Sequence, residues 1–199
     1  MHFSAVVLAA GASSRMPGNN KLLLPLAGKS VIAHTVDNLL QARVTEIIVV
    51  LGFDADKIQA ALRDRNVRFV MNPDYAQGMS ASIIAGIRAM SPEAEALFIC
   101  LGDLPLVTAP DFDRLITAFQ QAPQKAIAVP VFQSQRGNPV IFDVCHKSEM
   151  LALRGDVGCK TILAQHPQQV LEVEMAHDHI LRDVDTPEAY RAILEQLQF

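Results

Sequence analysis

Cysteine is scarce in this chain. Three occur among 199 residues, Cys100, Cys145 and Cys159, widely spaced and without a C-x-x-C pair. Their odd number and spacing argue against a disulfide framework or a zinc site and fit a reducing compartment. Long apolar runs are missing too, with nothing near the roughly 18 residues needed to cross a bilayer. Met1-His2-Phe3-Ser4 offers no basic n-region, and the apolar stretch 5–11 is too short for the h-region of a signal peptide. The expectation is a cytoplasmic protein without a membrane partner. Positive charge is not in excess: 17 Lys and Arg face 21 Asp and Glu, a net charge of −4. That balance excludes a general attraction to nucleic acid or anionic membrane. An anionic ligand must then be held by local cations, backbone N–H groups or a metal. Two phosphate-binding motifs are absent as well. No G-x-G-x-x-G occurs, which weakens a dinucleotide oxidoreductase reading. Gly28-Lys29-Ser30 resembles the end of a P-loop, but the earlier glycine that motif needs falls at Leu23, and a turn into a helix accounts for it.

What is present is an ordinary globular composition, 50% apolar and 19% charged, with no repeat, low-complexity stretch or linker. The expectation is a single domain over 1–199. Short apolar runs alternate with segments of helical period. Strands are expected at 3–10, 46–51, 67–71, 96–101 and 126–131, and helices at 30–42, from Asp54 to about 63, 80–90 and 110–121. This βαβα order implies an α/β fold: a three-layer, Rossmann-like, mostly parallel sheet with helices on both faces. The tail departs from it, with strands at 138–142 and 170–174, short helical pieces around 146–153 and 159–166, and a last helix from Pro187 to Leu197.

The loop after the first strand is the most informative segment. Leu8-Ala9-Ala10-Gly11-Ala12-Ser13-Ser14-Arg15-Met16-Pro17-Gly18-Asn19-Asn20-Lys21 leaves a strand end, where open α/β sheets bind ligands. Gly11 and Gly18 permit sharp turning and close backbone approach. Small residues add free N–H groups, and Arg15 and Lys21 add two cations with no acid. Such a loop suits a polyphosphate; the alternative is a flexible surface connection. Asp103, in Leu101-Gly102-Asp103-Leu104-Pro105, follows another buried strand and could supply a carboxylate for Mg²⁺ or simply a turn. In Asp183-Val184-Asp185-Thr186-Pro187, Asp185 or Thr186 could cap the last helix. Gly78, Ser80 and Ser82 sit at a helix start whose N–H groups and hydroxyls could read a base or ribose, with Ser80 as a plain N-cap the alternative. His177 and His179 read as surface residues, His34 as a core or crevice residue, and Cys100 as a small core hydrophobe.

The segment LAAGASSRMPGNNK is similar to the L-x-[AG]-G-x-x-x-R-M-G…K signature of the MobA-like NTP transferases, and KLLLPLAGKSVIAHTVDNL to its continuation. Pro17, inserted between Met16 and Gly18, departs from the pattern but keeps every charged position. The resemblance runs from Val6 to Tyr190. It implies that the loop from Leu8 to Ser14 folds over a triphosphate contacted by Arg15 and Lys21. G-D-x-P implies a metal carboxylate at Asp103, and D-x-D-T-P a second at Asp185. G-x-S-x-S implies nucleoside contacts at Gly78, Ser80 and Ser82. Arg136-Gly137-Asn138-Pro139 and Gly155-Asp156-Val157-Gly158 resemble motifs of the molybdenum cofactor cytidylyltransferase branch, implying an acceptor side at Arg136, Asn138 and Asp156. The implied activity is Mg²⁺-dependent transfer of CMP from CTP to the phosphate of molybdopterin, with a molybdoenzyme or its chaperone as possible recipient of the product. Ala10 stands where the guanylyl branch tends to carry glycine (LAGG), which leans toward cytidine. The rival readings are another acceptor such as methylerythritol phosphate or a sugar phosphate, another NTP, an oxidoreductase, and a non-catalytic chaperone.

Overall fold

A computed structural model describes residues 1–13, Met16 and 20–197. In chain order the elements are β1 (Phe3–Ala9), β2 (Pro25–Leu26), β3 (Lys29–Ser30), α1 (Val31–Gln41), β4 (Glu46–Leu51), α2 (Ala55–Ala61), β5 (Arg68–Met71), α3 (Met79–Ala89), β6 (Ala96–Leu101), α4 (Ala109–Gln121), β7 (Ile127–Phe132), β8 (Gln135–Arg136), β9 (Val140–Asp143), α5 (Lys147–Leu151), α6 (Lys160–Gln165), β10 (Val170–Glu174) and α7 (Pro187–Leu197). The main sheet runs β10-β7-β9-β6-β1-β4-β5, with β8 added to β7. The β6-β1-β4-β5 block and the β10-β7 pair are parallel, whereas β9 runs antiparallel to both neighbours. The expected mostly parallel, three-layer fold is what forms.

Its cause lies in the strands. Along β1 the residues Phe3, Ala5, Val7 and Ala9 enter one apolar cluster beneath α1, α2 and α4, and Val6 enters the opposite cluster beneath α3, α5 and α6. A strand buried on both faces is apolar nearly throughout, and in β1 Ser4 is the one polar residue. Gly86 lets α3 lie close to the sheet: a Cβ there would come within 2.2 Å of Val6 Cγ1. α4 starts with a reciprocal cap in which Asp111 accepts from the backbone N–H of Thr108 at 2.8 Å.

Several expectations shift locally. Asp54 adopts a left-handed conformation (φ 54°) and makes no side-chain cap; its carboxylate pairs with Lys57 at 2.7 Å instead. The strand expected over 138–142 begins at Val140, after a cis Asn138–Pro139 bond. The β2–β3 hairpin and β8 carry no alternation that four residues could display.

Candidate active site

The carboxyl ends of β1 and β6 lie side by side because the two strands pair in parallel, Leu8 opposite Leu101. The loops that leave them are fastened together. Gly102 donates its N–H to Leu8 O at 3.1 Å, and Thr35 of α1 donates its hydroxyl to Gly102 O at 3.1 Å. A Cβ at Gly102 would stand 2.9 Å from Leu8 O, so the contact requires glycine. The far end of the first loop is clasped as well: Lys21 N–H donates to Ser13 Oγ at 3.1 Å, and Leu22 N–H to Asn20 Oδ1 at 3.1 Å.

These ties place Lys21 against the acidic residues. Its Nζ bonds to Asp103 Oδ2 and, at 2.5 Å, to Asp185 Oδ1. Val184 N–H donates to Asp103 O at 3.0 Å, which laces the C-terminal acidic segment to the end of β6. Oxygens of Asp103, Asp183 and Asp185 all lie within 4.8 Å of one another. Asp103 is 4% exposed, and its Oδ1 is buried with no hydrogen-bond partner among the described residues.

The electrostatics follow from this crowding. Burial pushes the Asp103 carboxyl above its ordinary value; Lys21 opposes the shift and Asp185 adds to it. Asp183 is raised by burial and then by the neighbouring Asp103 and Asp185 charges. Burial disfavours the Lys21 ammonium, but its bonds and attraction to Asp103 and Asp185 prevail and its pKa rises. Three carboxylates around one lysine form a nest that favours further positive charge.

The cluster floors a cavity of about 370 Å³. Leu8 lines it from the end of β1, Ala10, Gly11 and Lys21 from the first loop, and Gly78 and Ser82 from the start of α3. Asp103, Asp185 and Asp156 line it from three further segments. Asp156 also accepts from Met79 N–H at 3.0 Å, at the first residue of α3. Other expected residues lie elsewhere. Ala9 faces the apolar cluster beneath α1, α2 and α4, and Ala12 is exposed beside Gly11. Ser13 acts on the loop itself. Ser80 is not the N-cap, which is Gly78; it is buried and its N–H donates to Gly155 O at 3.2 Å. Ser82 accepts from Asn72 at 3.0 Å. Arg136 is exposed and paired with Glu172 at 2.7 Å, and Asn138 N–H donates to Ile180 O at 3.0 Å; neither lines the cavity. Ser14 and Arg15 lie outside the described residues. The two roles weighed for the C-terminal motif are divided: Thr186 Oγ1 accepts from Ala189 N–H at 3.2 Å, leaving Asp185 to the cavity. His34 Nε2 meets Leu26 O at 2.6 Å, and His177 and His179 stack at 5.1 Å away from any ligating cluster among the described residues.

Sequence reasoning ranked Asp185 above Asp183, and both belong to the cluster. It missed Tyr75 and Met79 in the cavity wall, which nothing in their local pattern marks.

Residues 5–170 match the MobA-like NTP transferase domain. The chain belongs to this nucleotidyltransferase family. It is 27% identical to molybdenum cofactor cytidylyltransferase of Escherichia coli K12, covering 93% of this chain and 92% of that one. It is 28% identical to nicotine blue oxidoreductase of Paenarthrobacter nicotinovorans, covering 96% of each. Among solved structures, Rv0371C of Mycobacterium tuberculosis H37Rv in complex with manganese superposes with a TM-score of 0.81 at 29% identity, over 98% of this chain and 99% of that one. The family fixes the fold and the transferase class, while the named activities of these relatives diverge. No helix among the described residues is long and apolar enough to cross a membrane.

Proposed function

We propose that this protein is a Mg²⁺-dependent cytidylyltransferase that joins CMP from CTP to the phosphate of a molybdopterin-type acceptor and releases pyrophosphate. The observation that carries the reading is the convergence of Lys21 with Asp103, Asp183 and Asp185 beneath the Gly11 loop in one cavity. Its volume falls within the range of about 300–1,000 Å³ usual for small-molecule pockets. The buried, unpartnered Asp103 Oδ1 beside two further carboxylates is a donor set suited to a hard divalent cation. When bound, Mg²⁺ on Asp103 and Asp185 supplies charge neutralisation at the phosphates.

The chain's own residues account for the rest. A phosphate nucleophile is already ionised, so no general base is required. The barrier is the approach of two anions and the charge on the departing pyrophosphate. The Lys21 ammonium, held charged by its acidic neighbours, offsets that charge. Gly11 lets backbone approach the polyphosphate without a side chain in the way, as nothing lies within 4 Å of its Cβ position. Asp156 fastens the 152–159 loop to the start of α3 and so fixes one wall of the acceptor space. Ala10 lines the cavity where the guanylyl branch tends to carry glycine, which supports a pyrimidine over a purine.

Incubation with each NTP, Mg²⁺ and molybdopterin, followed by pyrophosphate release, tests the reading. CTP-dependent release is expected; release only with another NTP, or only with methylerythritol phosphate or a sugar phosphate, would replace the substrate while keeping the chemistry. The similarity to nicotine blue oxidoreductase favours one second reading, an oxidoreductase, and NAD(P)H consumption without pyrophosphate would support it instead.

A further inference from the structure

On the face of the sheet covered by α5 and α6, a second group of ligating side chains converges. His146 ends a 3₁₀ turn leading into α5, Glu149 lies one turn later, and His166 follows the end of α6. His146 Nδ1 stands 3.3 Å and His166 Nε2 2.9 Å from the same oxygen, Glu149 Oε2, and one ligand atom from each of the three residues lies within 4.8 Å of the other two. Bonds of 2.0–2.1 Å from a tetrahedral ion separate its ligands by about 3.3–3.4 Å. The two separations from Glu149 Oε2 are thus close to two edges of one tetrahedral face.

The surroundings sharpen the point. His146 Nε2 faces Gln169 Oε1 at 3.0 Å. A neutral imidazole that donates there presents the Nδ1 lone pair to the Glu149 carboxylate, and two acceptors then face each other. A second proton on the ring would also bridge that edge, whereas one metal ion answers all three donors at once. Gln169 behaves as the outer partner that fixes ring orientation in metal sites. The donors stand on braced backbone, since Ala126 donates to Gln169 O at 3.1 Å and Gln169 N–H to His166 O at 2.9 Å. His146 is 5% exposed and Phe142 packs its edge against the ring, so the site is walled from solvent on one side, while Glu149 and His166 remain partly open.

We infer that His146, Glu149 and His166 form a binding site for a Zn²⁺-class ion that pins α5 to the turn between α6 and β10. Two imidazoles and one carboxylate are the donor set of a zinc site with one open position. The aspartate cluster beside Lys21 offers only oxygen and suits a harder ion, so the two sites differ in the metal they select.

The test uses the metal-stripped full chain. Zn²⁺ is titrated against a chromogenic chelator, and Co²⁺ is followed by its visible absorption. The wild type and Asp103→Asn are expected to bind one equivalent of Zn²⁺ tightly and to give the intense spectrum of four-coordinate Co²⁺. Gln169→Ala is expected to weaken binding by about 10- to 100-fold, and His166→Gln and Glu149→Gln by more. Both of the latter positions are partly exposed, and unchanged circular dichroism shows that the variants fold. Zn²⁺ is expected to raise the Tm of the wild type and not that of His166→Gln. Zn²⁺ affinity unchanged in both variants, or tight binding lost only in Asp103→Asn, or no tight equivalent in the wild type, overturns the inference.

Discussion

Replacing Asp103 by Asn separates what the site does from what it costs. The substitution keeps shape and removes one charge from a side chain that is 4% exposed. It leaves Lys21 paired to Asp185 at 2.5 Å, so the lysine is not orphaned. Loss of one preorganised electrostatic group lowers kcat by about 10²–10³, or roughly 2.7–4 kcal/mol of barrier. Stability moves the other way. A carboxyl whose folded pKa is raised above 3.8 binds more protons folded than unfolded, so stability falls as pH climbs from about 4 through the raised value. Asn lacks that slope. The variant is therefore expected to unfold at or above the wild-type Tm at pH 7, and the difference is expected to vanish near pH 3.5. Pyrophosphate release and thermal unfolding at the two pH values measure both. Activity within tenfold of wild type, or a markedly lower Tm at pH 7, would refute the reasoning, the second by showing that the Lys21 pair outweighs the desolvation.

Lys21→Ala is expected to lower turnover by about 10²-fold or more in the same assay and to lower the Tm at pH 7, because it leaves Asp103 buried beside two carboxylates without its cation. Gly86→Ala is expected to destabilise by about 1–3 kcal/mol in urea, because its methyl would sit 2.2 Å from Val6 Cγ1. Asp37 is bonded by Arg65 Nε and Lys29 Nζ, each at 2.6 Å; these partners outweigh its burial and hold its carboxyl below 3.8. The stability it adds is present above pH 4 and lost as pH falls through the lowered value. Asp37→Asn is therefore expected to destabilise at pH 7 and to approach wild type near pH 2.5, measured by urea unfolding at each pH.

The parallel core was readable because β1 and β4 are apolar at all but one position each, Ser4 and Glu46, and burial on both faces demands such near-continuous runs. The direction of β9 was not: Val140–Asp143 has the same composition whichever way it runs, and its reversal is set by a short return from β7. Lys21 and Asp103 could be named because each follows an apolar run at a strand end or in a glycine-bearing loop. Ser80 misled because a serine near a helix start usually caps it, whereas here Gly78 takes that place and the hydroxyl turns inward. His146, Glu149 and His166 gave no signal beyond an i, i+3 pair, since 17 residues of chain separate Glu149 from His166.

Lys21, Asp103 and Asp185 sit 82 residues apart in succession along the chain, 164 in all from the lysine to the last aspartate. Synthesis delivers the glycine loop first and Asp185 only 164 residues after Lys21. On the proposed function, a chain lacking the docked Asp185 segment would carry a phosphate cradle with an incomplete cation seat. It could hold nucleotide without consuming it, so turnover in this enzyme reports that the last segment has docked.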